Sequence, residues 1–222
     1  MKLLFQAMLS GTKTSLAVFF LTLIFSLPLA LPLAFARQSK FALFSFPAKI
    51  FLLVIRGTPL MLQLLVVYFG PSLFVMYLNK NFGLNLRITW PRFFAANLAL
   101  IINYAAYFAE IYRGGIDAIP RGQYEAAKVL GYTKSQMFTF IILPQVVKRI
   151  VPAMGNEVIT LVKDTALVQV IGVGELLRVA QETQSRLFSF APLFLAGVFY
   201  LVLNWVVELS FSFIEKKLSY YR

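Results

Sequence analysis

Neither cysteine nor histidine occurs among the 222 residues. Disulfides, thiolate metal sites, haem ligation by imidazole and catalysis by a thiol or an imidazole are therefore excluded. Acidic residues are scarce too, 9 against 21 lysines and arginines, which leaves a formal charge of +12. No Walker A sequence, G-x-x-x-x-G-K-[ST], is present. The nearest glycine-rich stretch, Gly172-Val173-Gly174, lacks the lysine and reads as a turn at a membrane edge. No Ser/Lys dyad or metal-ligand cluster stands out, so the chain is read as a non-enzyme with no cofactor of its own. Tandem repeats, low-complexity tracts and flexible linkers are also missing.

What is abundant is apolar sequence. The chain is 59% hydrophobic with a mean hydropathy of +0.77, where a soluble domain holds roughly 45–50% apolar residues. The excess lies in blocks. Residues Thr14–Ala36, Gly57–Asn79 and Leu187–Val207 carry no charge, and each reaches the ~20 residues that cross a bilayer as a helix. Phe93–Ala109 is slightly shorter, and Ile150–Ile171 is interrupted by Glu157, Lys163 and Asp164. The expectation is an all-α membrane protein of about five transmembrane helices forming one domain over 1–222. Its spans are placed at about 14–36, 50–78, 93–112, 146–171 and 187–213, with a cytoplasmic loop at about 113–145. Ala34-Phe35-Ala36 mimics a signal-peptide cleavage site, but the apolar run before it exceeds the roughly 7–15 residues of a signal peptide. It is read as a retained span.

The basic residues then describe topology rather than nucleic-acid binding. With the C-terminus in the cytoplasm, the inner side carries Arg37, Lys40, Lys49, Arg56, Arg113, Arg121, Lys128, Lys134, Lys148, Arg149, Lys216, Lys217 and Arg222. The outer side carries Lys2, Lys13, Lys80, Arg87, Arg92, Arg178 and Arg186. That asymmetry follows the positive-inside rule.

Only one connection is long, Glu110 to Arg149, and it is punctuated rather than disordered. Gly114-Gly115 is expected to break the helix descending from the third span. Pro120 suits the first turn of a new helix, Gly131 suits its left-handed end, and Thr133-Lys134-Ser135-Gln136 matches a capping box. The second helix is expected to bend or end at Pro144. Two short helices joined by a glycine turn exceed what a connector needs, which favours a docking surface.

Polar residues inside the spans mark the other candidate region. Charges near mid-bilayer are costly and usually face a bundle interior or a wet cavity. Glu157, Thr160 and Asp164 follow i, i+3, i+7 on one helical face, flanked by Asn156 and Lys163. Adjacent Lys163 and Asp164 cannot pair within one helix. A neighbouring cation and anion suit a zwitterion, while a structural ion pair or gating element is the other reading. Asn103, Tyr107 and Glu110 form a second stripe, of which Asn103 and Tyr107 could line a cavity or bond between helices. A self-contained carrier driven by an ion gradient is an alternative; inverted repeats and paired broken helices, its usual signs, are not evident in the sequence.

With these residues in place, the chain resembles the inner-membrane permeases of the ABC family, in the branch that takes up polar amino acids. Glu125-Ala126-Ala127, then Gly131, then Ile142-Leu143-Pro144 resemble that family's EAA loop. Arg56-Gly57-Thr58-Pro59-Leu60 and Lys163-Asp164-Thr165 resemble segments typical of the amino acid branch. Ala166, where serine is expected, is a departure. The resemblance implies the fold of a type I importer in the inner membrane of a prokaryote. It implies that Glu125, Ala126, Ala127 and Gly131 dock on an ATPase, and that ATP and magnesium belong to two such partner subunits. It also implies a second permease subunit, identical or sibling, and an extracytoplasmic amino acid-binding protein as partners.

Overall fold

A computed structural model describes residues 2–218; Arg222, counted above with the inner charges, lies outside the described residues. The described residues are largely helical, in the order α1 (Lys2–Gln38), α2 (Ala42–Gly57), α3 (Leu60–Phe82), α4 (Arg92–Asp117), α5 (Arg121–Val129), α6 (Lys134–Gln136) and α7 (Leu143–Asp164). A 3-10 segment, Thr165–Ile171, continues α7, and α8 (Leu176–Leu187) and α9 (Ala191–Leu218) follow. Five stretches are long and apolar enough to cross a membrane: Leu4–Gln38, Leu60–Phe82, Arg92–Asp117, Lys134–Ile171 and Ala191–Leu218.

Helix α4 is the axis of the fold. Of its most apolar stretch, 61% of the residues are buried, against 6% for α3 and for α9. Ala95, Ala96, Ala99, Ala105, Ala106 and Ala109 supply the reason, since small side chains let backbones approach closely where lipid offers no hydrophobic drive. Against this face α1 packs most extensively, with Val18, Phe19, Ala30 and Ala34 buried in the shared core. The apolar faces of α3 and α9 are left bare, which suits lipid or a second subunit and not water.

Three expectations need correction. The helix of the third span does not break at Gly114-Gly115 but runs through to Asp117. Gly115 is buried, and a Cβ there would collide with Ile150 and stand 3.2 Å from Val146; it is a close-approach glycine rather than a breaker. Of the two outcomes expected at Pro144, a bend or an end, the structure excludes the end. After the α6 turn the chain passes through a π-helix, Met137–Ile142, and enters α7 with proline in its first turn. The missing proline N–H costs little at that position, where a wider turn meets a regular one. The span expected at 50–78 is interrupted at 58–59, where α2 ends and α3 begins. The freed groups are answered by Gln63, whose amide donates to Ile55 O at 2.7 Å, Thr58 O at 3.2 Å and Thr58 Oγ1 at 2.9 Å. At 1.5 Å per residue, α3 alone still reaches about 34 Å, enough to cross the hydrocarbon layer.

Candidate functional site

The polar residues of α3, α4 and α7 meet in one seam. Tyr104, on the buried face of α4, donates its hydroxyl to Asp164 Oδ2 at 2.7 Å. That is a usual O–H···O distance, at the long end of the range for a bond to an ionised carboxylate. One residue earlier, Asn103 is 5% exposed and donates to Gln63 Oε1 at 2.9 Å. Helix α4 is thereby tied on one side to the end of α7 and on the other to the break between α2 and α3. Both attachments fall where helices are discontinuous, the places at membrane depth where backbone polar groups become available to a solute.

The remaining candidates surround this seam. Glu157 is half-buried two turns before Asp164, within electrostatic reach of Asp164 and of Arg56. Thr160 spends its hydroxyl on Asn156 O at 2.9 Å, so it is satisfied within its own helix. Asn156 and Lys163 are exposed beside that face. Tyr107 lies beneath the Arg56 guanidinium, 5.3 Å from ring centroid to Cζ, a cation–π distance. The seam thus holds two carboxylates with a cation at each edge, the donor and acceptor set a zwitterion requires. Among the described residues no group of three or more carboxylates closes on a point that could hold a metal.

Glu110 belongs to a different arrangement. It is 15% exposed and faces Arg37 at 3.6 Å, Arg56 at 3.6 Å and Arg113 at 2.9 Å. Arg113 also reaches Asp117, and Gln38 donates to Asp117 at 3.1 Å. One carboxylate therefore gathers the same ends of α1, α2 and α4.

At that end of the bundle sits α5. Glu125 and Ala126 are exposed on it, whereas Ala127 is only 2% exposed and faces the chain itself. Gly131 closes the helix at φ +78°, a conformation open to glycine without strain. Thr133 accepts from Gln136 N at 3.3 Å and Gln136 Oε1 accepts from Thr133 N at 2.9 Å, so the capping box forms as expected. The pair is fastened to the bundle by Gln145 donating to Gln123 Oε1 at 3.1 Å and by Arg149 donating to Ala118 O at 2.8 Å. Burial and the charge of Asp117 raise the Tyr124 phenol above its ordinary value.

Sequence reasoning passed over three features. Tyr104 is off the i, i+4 stripe that selects Asn103 and Tyr107, and its role depends on α7 lying opposite. Val129 and Leu130 are 87% and 73% exposed beside Glu125 and Ala126; an apolar pair ending an otherwise polar short helix is the signal that would have found them. Glu175 is fully buried and caps α8 by accepting from Leu177 N and Arg178 N, each at 2.7 Å. It also accepts from the Tyr200 hydroxyl at 2.8 Å and the Ser15 hydroxyl at 3.5 Å. Burial raises its carboxyl above the ordinary glutamate value, and these donors pull it back.

The chain matches the family model described as "Binding-protein-dependent transport system inner membrane component" over residues 5–220. It is 38% identical over 213 residues to the arginine transport system permease protein ArtQ of Bacillus subtilis, covering 95% of this chain and 92% of that protein. It is 34% identical to the octopine transport system permease protein OccM of Rhizobium radiobacter, covering 95% of this chain and 85% of that one. Among solved structures, a chain of an amino acid ABC transporter crystallised with histidines superposes with a TM-score of 0.81 at 35% identity. The alignment covers 96% of this chain and 94% of that one.

Proposed function

The chain belongs to the family of binding-protein-dependent transport system inner membrane components, and from that premise we propose how it works as the permease subunit of an amino acid ABC importer. The carrying observation is near full-length similarity, in sequence and in structure, to permeases of amino acid transporters. It favours an ATP-driven importer over a self-contained carrier.

In this reading the α5 end of the bundle faces the cytoplasm and the α8 end faces outward, which places Lys216, Lys217 and the C-terminus inside. Two permease subunits, identical or sibling, enclose the path, their bare α3 and α9 faces meeting each other or lipid. Each subunit docks on an ATPase through α5. Glu125 and Ala126 present the polar contact, Val129 and Leu130 add an apolar anchor, and buried Ala127 with left-handed Gly131 seats the helix. ATP and magnesium reside in those partners. An extracytoplasmic binding protein delivers the amino acid, whose ammonium is received by Asp164 and Glu157 and whose carboxylate is received by Lys163. Asn103, Tyr107, Asn156 and Thr160 line the same route. Closure of the ATPases moves α5, and the π-helix and α7 carry that motion to Asp164 as one continuous lever. ATP and substrate drive the cycle only if they bind the two end states differently.

Glu125→Lys tests the docking half of this proposal. The variant is expected to remain folded in the membrane while losing the ATPase that co-purifies with the wild-type chain, and with it ATP-dependent uptake. Undiminished uptake by this variant would overturn the assignment of α5.

A further inference from the structure

The three elements that carry the polar seam also meet at the outward end of α4. Tyr68 on α3 accepts from Arg92 Nε at 3.2 Å, at the start of α4. Gly172, ending the 3-10 segment at φ +86°, lies between two guanidinium groups. The point its Cβ would occupy is 2.9 Å from Arg92 Nη1 and 3.1 Å from Arg178 Nη1. The two cations thus approach within about twice that distance, over a residue whose side chain is a single hydrogen. Arg178 is answered by Glu182 at 2.9 Å. Among the described residues no carboxylate pairs with Arg92, whose partner is the neutral phenol. Two like charges held this close with one counter-charge make a receptor for an anion, and planar guanidinium forks suit a carboxylate best.

We propose that Arg92 and Arg178, converging over Gly172, form an entry station that takes the α-carboxylate of the amino acid before it reaches the Tyr104–Asp164 pair. The inference rests on the importer reading given above. Arg92 is exposed and Arg178 half-buried, with Tyr68 and Gly172 half-buried and Val173 buried, so the pair is accessible to a small solute arriving from outside. From Arg92 to Tyr104 the helix rises about 18 Å, farther than one free amino acid reaches. The two stations are therefore occupied in sequence, carboxylate first at the mouth and ammonium later at Asp164.

The test uses the whole importer, with its ATPases and binding protein, in liposomes. Maximal uptake is measured for the amino acid it carries and for that amino acid's α-carboxamide, each at saturating binding protein. Wild type is expected to prefer the acid over the amide by about tenfold or more, the worth of one hydrogen bond to a charged group. Arg92→Gln and Arg178→Gln should each lower that ratio several-fold, to the share that Lys163 supplies at the inner station, and Arg92→Lys should retain part of the difference. Because the readout is a ratio, a general loss of folded protein cancels. Equal loss of acid and amide uptake, or an unchanged ratio, overturns the proposal. So does a raised half-saturating concentration of binding protein at unchanged ratio, which would make the pair a dock for an acidic protein surface. Failure of the wild type to import any amino acid would instead refute the importer reading itself.

Discussion

Gly114 and Gly115 stand side by side near the end of α4, yet alanine at each should move stability in opposite directions. Both are helical, so both substitutions gain about 0.5–1 kcal/mol by reducing backbone freedom in the unfolded chain. Around Gly114 no atom lies within 4 Å of the added Cβ, and the gain stands alone. At Gly115 the new methyl meets Ile150 Cγ2 in overlap and Val146 Cγ1 at 3.2 Å. Ile150 is β-branched and stiff at χ1, so it cannot swing clear without entering the preceding turn. Overpacking of this kind costs about 1–3 kcal/mol. Because the helix term is common to both, that cost is the expected gap between the two variants. Thermal unfolding of the detergent-solubilised complex should report it as a few degrees, with Gly114→Ala above wild type and Gly115→Ala below. Gly115→Ala melting at or above Gly114→Ala would refute the reasoning and return the pair to the role of a helix breaker.

Three further expectations concern ionisable residues. Asp164→Asn and Lys163→Ala should each lower substrate-stimulated ATP hydrolysis about tenfold or more, since each removes one charged partner of a zwitterion; wild-type stimulation in both would sink the assignment of this seam. Glu175→Ala should cost at least the about 1–2 kcal/mol of a lost helix cap and remove the acceptor of the Tyr200 and Ser15 hydroxyls, measurable as a lowered melting midpoint. Burial raises the Glu175 carboxyl above 4.5, so the native state binds that proton more tightly than the unfolded chain does. Its contribution to stability is therefore greatest at low pH and is lost as pH rises through the folded value. Glu175→Gln should flatten that slope in a series of melts across pH, and an unchanged slope would count against it.

What the amino-acid order by itself determined is local. Charge-free runs of membrane length specify spanning helices, because an unsatisfied backbone in lipid leaves few alternatives. Thr133 and Gln136 are three residues apart, so their reciprocal cap was legible from composition and spacing alone. The segments Glu125 to Gly131 and Lys163-Asp164-Thr165 stood out through their resemblance to a family's motifs, which are contiguous in the chain. What only the tertiary structure decided is every feature whose partner is distant in the chain. Gly115 reads as a breaker until Val146 and Ile150 stand against it. Tyr104 is an ordinary helical tyrosine until α7 brings Asp164 to 2.7 Å across 60 positions. Glu175 caps its own helix through near neighbours, but its hold on Ser15 spans 160 positions. Arg92 and Arg178 meet only because Gly172 leaves room between two elements. Periodicity fixes which face of a helix a residue occupies, whereas what lies opposite that face depends on how the helices pack.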